Sequence, residues 1–170
     1  MVQVINCASF SEIGKYRKGN EDFIYPCCNQ DRIFVLCDGM GGHGHGEIAS
    51  EIVGTSVFDY LKKLQIDEYT PDVLQGALDF AVKQLNNADT YHDERRMGTT
   101  LVVVALNRYN VLVGHVGDSR CYWLDNRCNI KFRTRDHSMV AEAVENQILT
   151  EEEAFNSPKK NIPVSYTHLR

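Results

Sequence analysis

Ile33 to Ser50 reads IFVLCDGMGGHGHGEIAS, and its change of character part-way along decides what fold the chain can adopt. The apolar run Ile33, Phe34, Val35, Leu36, Cys37 has the length of a buried strand. It stops at Asp38 and gives way to Gly39, Gly41, Gly42, Gly44 and Gly46 before a helical pattern begins. A carboxylate is thereby set at a strand end. The glycines leave it uncovered and let backbone carbonyls approach whatever it binds, which suits a hard, oxygen-seeking divalent cation. Taken by itself, the stretch is equally compatible with an ordinary glycine-rich loop between strand and helix.

Working outward, Val2 to Phe10 reads as a first strand and Asp22 to Cys27 as a second, separated by the turn-rich GKYRKGNE. After Glu47, apolar residues at Ile48, Ile52, Val53, Val57, Leu61 and Leu64 keep helical spacing. Pro71 opens another helix, with Val73, Leu74, Ala77, Leu78, Ala81, Val82 and Leu85 as its apolar face. Strands follow at Gly98 to Leu106, Val111 to Val116, Arg120 to Leu124 and Ile130 to Arg133, with turns at Asn107 to Asn110 and Asp125 to Asn129. Two short helices are expected, Ser138 to Glu145 and Thr150 to Phe155, the second with Thr150 as N-cap and Glu153 completing a capping box. Two adjacent long helices between runs of strands disfavour alternating βαβ units. They predict an α+β layered domain of mostly antiparallel sheet.

Of the 170 residues, 43% are hydrophobic and 24% charged, an ordinary globular composition. The formal charge of −5 gives no reason to expect nucleic acid or an anionic membrane as a partner. MVQVINCASF lacks a basic segment before an apolar core, and the longest apolar run, Leu101 to Leu106, is far short of the ~20 residues that span a bilayer. A cytoplasmic location is expected. Cys7, Cys27, Cys28, Cys37, Cys121 and Cys128 never form a CxxC pair, so reduced, mostly buried thiols are expected rather than zinc or a disulfide framework.

Three further segments could converge on Asp38. RKGNED, Arg17 to Asp22, offers a guanidinium able to fork onto phosphate and two adjacent carboxylates. Because strand side chains alternate, Glu21 and Asp22 cannot face one ion in the same way. GHVGDSR, Gly114 to Arg120, ends a strand at Gly117 and sets Asp118 in a tight turn; TRDHS, Thr134 to Ser138, is a polar strand end with a serine N-cap. Singly these read as a solvated turn, a hairpin and a helix cap.

In order, RxxNED, DGMGGHxxGExAS, MGTT at Met97 to Thr100, GDSR and TRDHS resemble the metal-dependent protein phosphatases of the PPM, or type 2C, family, in their bacterial serine/threonine form. The resemblance runs from about Cys7 to Asn161. It implies a four-layer αββα sandwich, two antiparallel sheets face to face with helices outside, and two Mn2+ or Mg2+ ions, with a third in bacterial members. By matching position, Asp38 would bridge both metals, Gly39 would lend a carbonyl, and Glu21 and Asp22 would position metal-bound water. Arg17 would clamp the substrate phosphate, and Asp118 would ligate the third metal. The implied reaction is hydrolysis of phosphoserine and phosphothreonine in proteins by a metal-activated water, opposite a cognate serine/threonine kinase. Met40 stands where some members carry a histidine, so no general acid is assigned; His43 and His45 are read as packing or turn residues.

An aspartyl-phosphate phosphatase would need a second acid where Met40 stands, and no glycine loop ends in Gly-Lys-Ser/Thr. The competing reading is a catalytically dead phosphatase-like module that binds phosphoproteins. Two further metal aspartates of the family, in SDGL-like and DN-containing motifs of its last third, are not found. The sequence is therefore expected to hold the N-terminal two thirds of a phosphatase domain over residues 1–163. Val164 to Arg170, VSYTHLR, reads as a translated sequencing adapter, and the chain alone is expected to be inactive.

Overall fold

The computed structural model describes residues 1–17, 19–25, 32–40, 45–64, 66–89 and 97–158. Cys27, Cys28, His43 and the 164–170 tail lie outside them. The chain divides into two compact units, Met1–Gly114 and His115–Arg170, and among the described residues no helix is long and apolar enough to cross a membrane.

The first unit holds β1 (Asp22–Ile24), β2 (Ile33–Met40), α1 (His45–Lys63), α2 (Pro71–Ala88), β3 (Gly98–Thr99) and β4 (Leu101–Leu106). The unit boundary falls within β5 (Val111–Val116). The sheet runs β1-β2-β4-β5, with β3 paired to the end of β2. The β1, β3 and β4 pairings with β2 are antiparallel. Along β2 the buried residues are Ile33, Val35, Cys37 and Gly39, while Leu36 and Asp38 are exposed. This period of two gives β2 one covered face and one open face.

α1 covers that face with Ala49, Val53, Val57 and Leu61, buried at four-residue intervals. The approach is close: a Cβ on Gly54 would lie 2.2 Å from the Phe23 ring. α2 begins where the sequence puts it, with Thr70 accepting the Val73 N–H and Pro71 in the first turn. Arg32 and Asn107 tie the segment before α2 to the sheet. Arg32 donates to the Leu106 and Asp67 carbonyls, and the buried Asn107 side chain bonds both N–H and C=O of Tyr69.

The second unit holds the hairpin β6 (Tyr122–Leu124) and β7 (Ile130–Arg133), then α3 (Met139–Glu145) and α4 (Glu151–Asn156). Asp125 closes the hairpin turn by accepting from the Arg127 and Asn129 backbones. The Asn129 bonds, with help from Arg127 and Lys131, hold its carboxyl down at about 2. Ser138 caps α3, and Thr150 with Glu153 forms the expected capping box. Antiparallel sheet accompanied by helices makes the chain α+β.

Three expectations fail, and one of them is the single strand over Gly98 to Leu106, which is broken at Thr100. Val2 to Phe10 is not a strand: Ile5 and Phe10 are 91% and 80% exposed, and the Val2 N–H to Arg108 C=O bond is a single tie rather than a ladder. Mixed alternation without an adjacent strand leaves extended backbone no partner. The cysteines are not all reduced either, because Cys7 is disulfide-bonded. Cys37, Cys121 and Cys128 are free thiols, and burial pushes Cys37 up to about 12.

Candidate active site

β1 and β2 bring Asp22 and Asp38 into register as direct cross-strand partners. The ladder bond from the Gly39 N–H to the Glu21 carbonyl, 2.9 Å, flanks them. They are therefore a non-hydrogen-bonded pair, the closer kind, with Cα atoms about 4.5 Å apart. Direct partners share a face of the sheet, and both aspartates are exposed. Like charges directly opposite each other destabilise a ladder, so this strand end favours a cation. The donors fit a hard divalent ion in type, since both are carboxylates. They do not complete its shell: among the described residues no group of three or more His, Cys, Asp or Glu side chains is gathered to hold a metal.

Glu21 takes the other face, as strand alternation requires. Its Oε2 lies 3.5 Å from Arg17 Nη1, and its Oε1 is 2.9 Å from where a Cβ on Gly46 would stand. The carboxylate thus sits beside the first turn of α1, where the helix dipole favours negative charge. Arg17 is 74% exposed, so this ion pair adds little stability and leaves the guanidinium at the surface. Gly39 is pressed against the helix start. A Cβ there would stand 2.0 Å from the Gly46 carbonyl oxygen and 2.7 Å from that of Glu21, so only glycine lets α1 begin this close to β2. His45 is the first residue of that helix.

The Asp38 backbone is gripped from the opposite side by two hydroxyl residues. The Thr100 N–H donates to the Asp38 carbonyl at 2.9 Å, the Asp38 N–H donates to Thr100 Oγ1 at 2.9 Å, and the Thr99 hydroxyl, with one hydrogen to give, lies 3.0 Å from both the Asp38 and the Thr100 carbonyls. The sequence reading included both threonines within MGTT but gave them no task. Their signal was two hydroxyls at a strand start, which is common in any sheet.

In the second unit, Asp118 is exposed and follows the buried Gly117 at φ +98°, a left-handed conformation that favours glycine. GDSR and TRDHS clasp each other here. The Gly117 N–H donates to His137 Nδ1 at 3.4 Å and the His137 N–H to the Gly117 carbonyl at 3.0 Å. Arg120 forks onto both oxygens of Asp136 at 2.6 and 2.5 Å. The Cys121 N–H donates to the Thr134 hydroxyl and the Thr134 N–H to the Cys121 carbonyl. The Arg120 bond holds Asp136 below the usual carboxylate range, while burial and the neighbouring His115 ring, 4.5 Å away, hold His137 below the usual histidine range. The acceptor role of Nδ1 fits a neutral His137. TRDHS thus grips the turn that carries Asp118.

A family model described as Protein phosphatase 2C matches residues 18–155, a range that includes Asp22, Asp38 and Asp118. The chain belongs to the protein phosphatase 2C family. A putative protein phosphatase 2C-type from Streptococcus pyogenes serotype M6 is 34% identical over 160 residues, covering 89% of this chain and 63% of that protein. The crystal structure of the Streptococcus agalactiae serine/threonine phosphatase superposes with a TM-score of 0.73 at 34% identity, over 91% of this chain and 65% of that one. The crystallised catalytic domain of the serine/threonine protein phosphatase PstP, in complex with 2 manganese ions, gives a TM-score of 0.66 at 30% identity, over 86% and 62%. This 2C-family chain therefore spans rather less than two thirds of the proteins it resembles. The family's αββα sandwich, two antiparallel sheets flanked by helices, is the fold that the resemblance implies, and the order of elements agrees with it.

Proposed function

We propose that this 2C-family chain carries the cation- and phosphate-binding face of a metal-dependent protein serine/threonine phosphatase. The reading rests foremost on the Asp22–Asp38 pair, two carboxylates set directly opposite each other on an exposed face of the sheet, where a cation would offset their repulsion. Asp38 is assigned as the shared metal ligand, with Gly39 offering a carbonyl and Asp118 serving a third ion. Asp22 faces the same side as Asp38 and is assigned to a cation or its water. Glu21 acts at one remove, through Arg17 and the start of α1. Arg17 is assigned to the substrate, its fork matching two oxygens of a phosphate.

The cations would be Mn2+ or Mg2+, and when bound they would supply positive charge against the phosphate dianion and make a water molecule more acidic. The reaction class is hydrolysis of a phosphomonoester: a water oxygen bonds to phosphorus, and the seryl or threonyl oxygen leaves and takes up a proton. The substrates are phosphoserine and phosphothreonine proteins, placing this protein opposite a serine/threonine kinase. The serine/threonine phosphatase names of its relatives and the manganese in the PstP structure support the substrate class and the metal.

The test joins the chain to the C-terminal portion of a bacterial relative and measures manganese-dependent release of phosphate from a phosphothreonine peptide. Asp38→Asn should abolish turnover while circular dichroism and melting stay close to those of the parent. Near-normal turnover in that variant would overturn the assignment. Tight peptide binding with no turnover, in the parent as well, would favour a catalytically dead binding module.

A further inference from the structure

The register of β2 against β4 leaves one bond in an unexpected place. Partners across this ladder run Ile33↔Ala105, Phe34↔Val104, Val35↔Val103 and Leu36↔Val102, and Gly39↔Thr99 follows on the β3 side. Residue 38 therefore stands opposite residue 100. The Leu106 N–H to Arg32 C=O bond marks 32 and 106 as a hydrogen-bonded pair, so by alternation 34 and 104, 36 and 102, and 38 and 100 are hydrogen-bonded pairs as well. Such a pair exchanges two backbone bonds. Thr100 does give its N–H to the Asp38 carbonyl, but the Asp38 N–H goes to the Thr100 hydroxyl. The Thr99 hydroxyl lies 3.0 Å from the Thr100 carbonyl and the same distance from that of Asp38, sharing its one hydrogen between them. Side-chain oxygen has replaced backbone oxygen at one rung, and β3 and β4 are separate strands because of it.

We infer that Thr100, assisted by Thr99, is a positioning residue for Asp38. Resting on the reading of Asp38 as a cation ligand, the inference adds what sets the direction of its side chain. A backbone rung would hold residue 38 in the ordinary pleat. The hydroxyl rung ties the Asp38 N–H to Thr100, a residue only 1% exposed, while the carbonyl of Asp38 accepts the Thr100 N–H and lies within reach of the shared Thr99 hydroxyl. With both backbone groups fixed by two adjacent threonines, the Cα–Cβ direction is set from the side opposite Asp22. Loss of the hydroxyl would let the strand relax toward a regular rung and move the carboxylate relative to Asp22.

Titrating the 170-residue chain with Mn2+ while following paramagnetic broadening of the Asp22, Asp38 and Gly39 amide signals tests this without recourse to turnover. Thr100→Val keeps the shape and deletes the hydroxyl; Thr100→Ser keeps the hydroxyl. The expected result is that Val raises the Mn2+ concentration for half-broadening several-fold and speeds hydrogen exchange at the Asp38 amide, whereas Ser restores both. Should Thr100→Val fail to fold, Thr99→Val, which removes the hydroxyl shared between the Asp38 and Thr100 carbonyls, should weaken binding in the same direction by a smaller factor. Asp38→Asn separates the two layers of inference. If it abolishes broadening and the threonine variants bind Mn2+ like the parent, the positioning role is overturned and the metal reading stands. If Asp38→Asn itself leaves the broadening intact, both fall.

Discussion

Arg17 and Gly39 sit on either side of Glu21 and pose opposite problems. Arg17 is 74% exposed with an ion pair of 3.5 Å to Glu21, a geometry that stabilises the fold very little. Its removal should be felt by phosphate and not by the fold. In the extended phosphatase, Arg17→Ala should raise KM for a phosphopeptide and the inhibition constant for inorganic phosphate by roughly 10- to 100-fold, the worth of hydrogen bonds to a charged group. The Mn2+ dependence should stay where it was, and unaltered phosphate affinity would remove Arg17 from the substrate. Gly39 behaves the other way. An alanine Cβ would stand 2.0 Å from the Gly46 carbonyl oxygen, and neither backbone can yield without parting α1 from β2. Gly39→Ala should cost about 3 kcal/mol or more, seen as a fall in urea midpoint, while Gly14→Ala, with open space around it but φ +75°, should cost only the strain of its left-handed backbone.

At the scale of elements, the clasp between GDSR and TRDHS makes two motifs one structure. Arg120 and Asp136 meet through two bonds at partly exposed side chains, so a double-mutant cycle with Arg120→Ala and Asp136→Ala should show a coupling of about 0.5–1 kcal/mol. Its pH dependence follows from Asp136, whose carboxyl is held below its ordinary 3.8 chiefly by the Arg120 bond. A depressed carboxylate contributes stability that is present above the unfolded value and lost as pH falls through the folded one. The coupling should be constant at neutral pH and vanish only in acid, below 3.8; a change near neutrality would point to His137 instead. Elements with local signals were legible in the sequence: Thr70 and Pro71 announce α2, Thr150 and Glu153 announce α4, and the limits of β5 and β7 are those expected from the turns that bound them. Features that depend on a distant partner were not. Val2 to Phe10 has strand-like residues and no ladder. The break at Thr100 is made by a hydroxyl, to which periodicity is blind. Alternation required Glu21 and Asp22 to diverge, but only the Asp22↔Asp38 register tells which of them shares a face with Asp38.

For the molecule as a whole, the deciding quantity is the number of oxygens that can be brought to one cation. Six-coordinate Mn2+ or Mg2+ held by two aspartates, with water filling the remaining positions, is a thin shell, and sites with few protein ligands bind at about 1 mM or more weakly. Among the described residues no third acidic or histidine ligand joins Asp22 and Asp38, and the chain spans 63% of the Streptococcus pyogenes protein it resembles. The 170-residue chain should therefore bind Mn2+ in the millimolar range and show no measurable manganese-dependent hydrolysis of a phosphothreonine peptide. Joined to the C-terminal portion of a bacterial relative, it should bind at least tenfold more tightly, a gain of about 1.4 kcal/mol, and turn over. The two proteins can be compared by electron paramagnetic resonance of free Mn2+ and by phosphate release under the same conditions. Micromolar binding or comparable turnover by the shorter chain would mean that its carboxylates form a fuller site than the Asp22–Asp38 pair alone, and the assignment of ligands would have to be redrawn around it.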